Sequence, residues 1–158
     1  MTVDGAFVRI GAPDGSLLDV LRDDAGVTSA KDGCSPQGQC GCCTVLVDGK
    51  PRVACVTPAR RVVGRRVTTI DGLEAEARER LIGSFVDHGA SQCGFCTPGI
   101  VVRLAALGAD PTPDQVRTAL LAHLCRCTGW QSIVEAACGV AGGAAAGGAA
   151  AGGAAAGG

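Results

Sequence analysis

The stretch KDGCSPQGQCGCCTVLVDGKPRVAC, residues 31–55, joins a glycine-rich loop holding five of the chain's ten cysteines to two apolar runs that flank Asp48-Gly49. Asp-Gly between alternating apolar residues is a strong β-hairpin signal, so the first half of the chain is expected to be built on strands. Upstream, AFVRI (6–10) alternates as a strand does, Asp14-Gly15 makes a turn, and SLLDVLRDDAG (16–26) has helical spacing with a glycine stop. Downstream, RVTTI (66–70) supplies one more strand. The expectation for residues 1–72 is a small mixed sheet with one helix.

Beyond it the period becomes helical. Leu73, Ala77, Leu81 and Phe85 fall four apart, with Asp71 and Glu74 as an N-terminal capping pair and Gly89 as a stop. Three further helices are expected over Pro98–Leu107, Thr112–Leu124 and Gly129–Val140, with Pro113 suited to a first turn. Four helices with short connections over residues 73–140 imply a bundle-like packing. Residues 141–158 repeat alanine and glycine with no branched, aromatic or charged side chain, and are expected to form a flexible tail or linker.

Composition limits the function. At 158 residues and 47% apolar content the chain can bury one or two small cores. A net charge of −1, no tyrosine and only four Phe and Trp residues give no basic, aromatic-laced stripe for nucleic acid. The short basic run ARRVVGRR (59–66) reads as a solvated hairpin or loop. No membrane span is expected, and the start carries no basic segment followed by an apolar one, so the expected compartment is the cytoplasm. There disulfides are disfavoured, and ten cysteines read as metal ligands.

Cys40-x2-Cys43, then eleven residues to Cys55, with Cys34 upstream, approximates the plant-type [2Fe-2S] pattern. Thiolates are the soft anionic donors that ferric ions need, and Gly33, Gly38 and Gly41 suit a loop whose amides turn towards sulfur. Cys42, between two candidate ligands, is the spare. Cys93 and Cys96 in QCGFCTPG, with Cys125 and Cys127 in LCRCTGW, form a second set whose spacing alone fits zinc or an iron-sulfur cluster. Cys138 reads as a small buried apolar residue.

Together, GCSPQGQCGCCTV with its downstream cysteine, QCGFCTPG and LCRCTGW resemble the small iron-sulfur subunit of the molybdenum hydroxylase family, over about residues 3–140. That family includes xanthine dehydrogenase, aldehyde oxidoreductase and aerobic carbon monoxide dehydrogenase. The resemblance implies an α+β chain. Residues 1–72 would form a plant-ferredoxin-like β-grasp domain with a [2Fe-2S] cluster on Cys34, Cys40, Cys43 and Cys55. Residues 73–140 would form a four-helix domain with a second cluster on Cys93, Cys96, Cys125 and Cys127. It also implies an electron-transfer subunit of an oxidoreductase: electrons from a molybdenum-pterin centre would pass through the helical-domain cluster and then the other, towards FAD. The partners would be a large molybdenum-binding subunit and an FAD subunit in a hetero-oligomer, with Gln92 beside the pterin.

The sequence departs from the family pattern in places. SPQGQ puts five residues between Cys34 and Cys40 where the family has four, Cys42 stands where a small residue is usual, and AHLCRCTGW replaces a Gly-Asn pair and a final Tyr. His123 and His88 read as polar groups near helix ends, Trp130 as core packing, and Arg126 as a tuner of cluster potential. Two loaded clusters would add about four negative charges, which amides and cations must offset. No nucleophile–base pair, nucleotide loop or carboxylate pair indicates substrate chemistry on this chain. A structural zinc module and a free-standing ferredoxin-like shuttle are the other readings.

Overall fold

The computed structural model describes residues 1–139, so the expected tail over 141–158 lies outside the described residues. Ten elements follow one another: β1 (Thr2–Val3), β2 (Ala6–Phe7), α1 (Leu17–Asp19, continued by a π-turn over Val20–Asp24), β3 (Thr44–Val47), β4 (Lys50–Val53), β5 (Arg66–Thr68), α2 (Ala75–Asp87), α3 (Thr97–Ala105), α4 (Pro113–Ala119) and α5 (Trp130–Gly139). The chain is α+β. Among the described residues no helix is long and apolar enough to cross a membrane.

The sheet order is β2-β1-β5-β3-β4, with β1 and β5 parallel and the other neighbours antiparallel. One end of it is the expected hairpin of β3 and β4, where Val47 pairs with Lys50 across Asp48 and Gly49 at φ 49° and 78°. Positive φ at both turn positions gives a bend whose twist matches the strands. The AFVRI strand shrinks to Ala6–Phe7, with Phe7 82% exposed; Val8 still exchanges backbone hydrogen bonds with Met1, and Val8 and Ile10 pack against the core. A second tight turn at Asp4 starts the sheet. The Asp4 carboxylate accepts from the Thr69 amide at 2.7 Å and the Thr69 hydroxyl at 2.6 Å, tying β1 to the end of β5.

Strand β3 decides how the molecule is assembled, since alternate residues on a strand face opposite sides. Val45 and Val47 join Leu17, Leu18, Val20 and Leu21 in one hydrophobic cluster. Leu46, facing the other way, packs against a second cluster built from Leu81, Phe85, Ile100, Leu104, Leu120 and Ile133. Each fully buried Leu or Ile in these clusters contributes roughly 1.5–3 kcal/mol. The sheet therefore carries α1 on one side and the helical half on the other.

The start of α2 and the end of α4 differ from expectation. Asp71 does not cap α2, which starts at Ala75 after Glu74 without a side-chain cap. The Asp71 carboxylate instead accepts from the Ser29 hydroxyl at 2.9 Å, and Leu73 sinks into the second cluster ahead of the helix. α4 ends at Ala119 rather than Leu124. It is started as expected, by a reciprocal Thr112–Gln115 capping box with Pro113 in the first turn. It stops because the Leu124 amide donates to the Cys40 carbonyl at 2.9 Å, diverting the chain to the first cysteine loop. α3 runs Thr97–Ala105 and α5 starts at Trp130, each within about two residues of expectation. Trp130 is not a core residue: it stands 40% exposed at the start of α5.

Candidate metal centre

The first cysteine loop bends where Ser35 takes φ 47°, with its amide and hydroxyl both donating to the Asp32 carboxylate at 3.0 and 2.9 Å. That bend lies within the five-residue span between Cys34 and Cys40. Cys40, Cys43 and Cys55 are 6%, 1% and 5% exposed, and Cys34 is half-buried. The Cys55 amide donates to Cys43 Sγ at 3.4 Å, and Cys34 neighbours Cys40. Four thiols thus lie together as two pairs. Burial pushes the Cys55 thiol up to about 12, with the Cys43 thiol adding to it, and burial likewise raises Cys40. Burial also opposes ionisation of Cys34, but the amides of Cys40, Gln39 and Gln37 outweigh it and bring this thiol down to about 6. A loop that turns amides towards sulfur is arranged for thiolate.

Cys42 is buried, with its thiol 3.6 Å from the Cys40 carbonyl, and burial followed by the Cys40 charge pushes it up to about 12. Gly33 is a close approach that a side chain would close. A Cβ there would lie 2.9 Å from Cys40 Sγ, 3.2 Å from the Phe95 ring and 3.3 Å from Cys42 Sγ.

The second set comes from two loops at one end of the helical half. Cys93 precedes α3 and Cys96 is its N-cap residue, while Cys125 and Cys127 lie between α4 and α5. Cys93 and Cys127 are exposed with their sulfurs 3.5 Å apart, and half-buried Cys96 neighbours half-buried Cys125. Cys125 accepts from the Thr128 amide at 3.5 Å, with the Thr128 hydroxyl 3.2 Å away. Burial works against the Cys125 thiolate, yet these Thr128 groups bring it to about 7. The Phe95 amide lowers Cys93, which in turn raises Cys127, and burial pushes Cys96 up to about 12. Among the described residues no three His, Cys, Asp or Glu side chains are arranged to hold one metal ion, and the thiols stand in pairs. Two sets of four soft donors, each with amides turned to sulfur, fit two-metal clusters in their donor chemistry.

The two sets meet backbone to backbone. A Cβ on Gly99 of α3 would overlap the Gly41 carbonyl and lie 3.0 Å from the Cys42 backbone, and a Cβ on Gly41 would overlap the His123 ring. His123 is 4% exposed, its Nε2 stands 3.2 Å from Thr44 Oγ1 of β3, and its Nδ1 has no partner. Burial, helped by the Arg103 charge, lowers it to about 4, so the ring is neutral at pH 7. His123 is therefore a buried link between the cysteine loops, not only a polar helix-end group. Sequence reading also missed the Gly41–Gly99 contact; the glycine lodged inside each cysteine motif was its one visible trace.

The remaining candidates sit apart from this junction. Gln92 and Arg126 are exposed beside Cys93 and Cys127. His88 caps the end of α2, its Nδ1 donating to the Ser84 carbonyl at 2.8 Å. Cys138 is half-buried at the edge of the second cluster.

A family model described as a [2Fe-2S] binding domain matches residues 69–138. The nicotinate dehydrogenase small FeS subunit of Eubacterium barkeri is 40% identical over 125 residues, covering 77% of this chain and 79% of that protein. The xanthine dehydrogenase iron-sulfur-binding subunit of Escherichia coli is 38% identical over 141 residues, covering 85% and 87%. The crystal structure of quinoline 2-oxidoreductase from Pseudomonas putida 86 has a chain that superposes with a TM-score of 0.77 at 38% identity, covering 86% of each chain.

Proposed function

The chain belongs to the family of small iron-sulfur, electron-transfer subunits of xanthine dehydrogenase-type molybdenum hydroxylases, and on that premise we propose that it carries two [2Fe-2S] clusters relaying electrons from a molybdenum-pterin centre towards FAD. A bound [2Fe-2S] core takes up or gives one electron at a time. In this reading Cys34, Cys40, Cys43 and Cys55 hold one, within a β-grasp domain over residues 1–72. Cys93, Cys96, Cys125 and Cys127 hold the other, within a helical domain over residues 73–140. The observation that carries it is the grouping of eight thiols into four neighbouring pairs, two pairs in each half. A two-iron core takes two thiolates per iron, which is a pairwise arrangement.

The chain's own groups have three tasks. Amides of Cys40, Gln39, Gln37, Phe95 and Thr128 turn to sulfur and hold the thiolate charge. The Gly41–Gly99 contact keeps side chains out of the space between the two sets. Exposed Cys93 and Cys127, with exposed Gln92 and Arg126, leave one edge of the second set free for a large molybdenum-binding subunit, Gln92 meeting the pterin and Arg126 tuning the potential. An FAD subunit completes the hetero-oligomer, in the cytoplasm.

The test is iron, acid-labile sulfide and zinc content of anaerobically purified chain, with low-temperature electron paramagnetic resonance after dithionite. Four irons and four sulfides per chain with two distinguishable signals are expected; zinc without sulfide would replace this reading with a structural metal module.

A further inference from the structure

Arg52 of β4, Arg61 and Arg65 line a groove of about 260 Å³ whose walls include Val56 and Val62. It opens beside an edge of the sheet, since β4 has no outer neighbour. Every lining residue falls between 47 and 65, so the groove belongs wholly to the sheet half and stays clear of the exposed Cys93–Cys127 edge. The basic run 59–66, read from sequence as a solvated loop, supplies two of its three guanidinium groups.

The groove is positive on a chain whose net charge is −1. Asp48 answers only Arg65, at 3.5 Å, and among the described residues Arg52 and Arg61 have no carboxylate partner. The groove also shares a wall with the first cysteine set. Val56, 54% exposed, directly follows Cys55, and a Cβ on Gly38 of the Cys34–Cys40 loop would lie 3.0 Å from it. The groove does not resemble a small-anion cradle. The Thr57 hydroxyl is committed to the Val53 carbonyl at 2.8 Å, and valines separate the arginines. Of the lining valines only Val56 is exposed, Val47 and Val62 being buried, and guanidinium groups around an exposed apolar side chain suit a protein interface.

We infer that this groove docks a carboxylate-bearing face of the protein that accepts electrons from the first cysteine set. Complementary charge raises the encounter rate and fixes orientation, while Val56 supplies the apolar contact. The inference rests on the proposed electron-transfer role for the identity of the partner, and on the groove alone for its chemistry.

The test uses the cluster-loaded chain, the double variant R52E/R61E, the milder R52Q/R61Q, and a control, R9E/R117E, that reverses two exposed arginines elsewhere. With labelled poly-L-glutamate as probe at low salt, affinity should fall about tenfold or more in R52E/R61E, by less in R52Q/R61Q and at most about twofold in the control. Each of two acceptors takes one electron from the dithionite-reduced chain. The rate to anionic hexacyanoferrate(III) should fall in R52E/R61E and the rate to cationic hexaammineruthenium(III) should not. Equal losses in the target and control variants would overturn the docking surface, as would equal changes with both acceptors. Saturable displacement of poly-L-glutamate by inorganic phosphate at constant ionic strength would overturn it in favour of a small-anion site. Absence of iron and sulfide would instead remove the electron-transfer role, and the poly-L-glutamate comparison would still decide the groove.

Discussion

In the sheet half, Cys40, Cys43 and Cys55 are part of a hydrophobic interior, whereas in the helical half Cys93 and Cys127 stand at the surface. The side chains are the same and the surroundings are opposite. A thiolate held in the interior depends on backbone amides for stabilisation, while one at the surface is stabilised by water until a partner covers it. The first set is thus bound into the stability of its fold, and the second is open to solvent at Cys93 and Cys127.

The largest effect that separates them is ligand removal. Cys43→Ser should cut iron from about four to about two per chain by removing one [2Fe-2S] core and lower the thermal midpoint. Cys127→Ser should remove the same amount of iron with little change in the midpoint of the cluster-free chain. Metal analysis and calorimetry on both variants check the contrast, and equal midpoint losses would break it. Next, Gly99→Ala drives a methyl into the Gly41 carbonyl and the Cys42 backbone, so a stability loss of about 2–3 kcal/mol is expected in urea titration. Because this contact joins the halves, both paramagnetic signals should change shape.

A ferrous chelator offered to the dithionite-reduced chain should strip iron in two phases, the faster one carrying the signal of the exposed Cys93–Cys127 set. A single phase would show that burial does not protect the first set. His123→Ala leaves the Thr44 hydroxyl without its partner and opens space against Gly41; a cost of about 1–2 kcal/mol is expected. His123→Asn, which keeps a hydrogen-bonding side chain beside Thr44, should cost less. The smallest effect is expected for Cys42→Ala, with about 1 kcal/mol lost and both clusters retained. Loss of two irons in that variant, with no loss in Cys34→Ser, would exchange the roles of Cys34 and Cys42.

Several features were legible as short-range chemistry. The Asp48-Gly49 hairpin follows from two residues that accept positive φ, and the Thr112–Gln115 capping box from their spacing. The ends of α2 and α4 were misread because their deciding partners are remote. Ser29 takes Asp71, 42 residues away, and Cys40 takes the amide of Leu124. Trp130 was misplaced because an aromatic at helical spacing reads as core, whereas the start of α5 lies at the surface.

What the sequence determined by itself was the cysteine inventory: two ordered groups of cysteines, a hairpin behind the first, and helices around the second. Spacing and residue type are local quantities, and a short loop keeps the thiols it carries near one another wherever the loop is placed. Only the tertiary structure decided how the sets relate. β3 turns alternate residues to two cores, Gly41 meets Gly99, His123 is buried against Thr44, and Arg52 comes beside Arg61 and Arg65 at a sheet edge. All but the arginine groove join segments far apart in the chain, and all are fixed by packing and close approach rather than by any local preference of the residues involved.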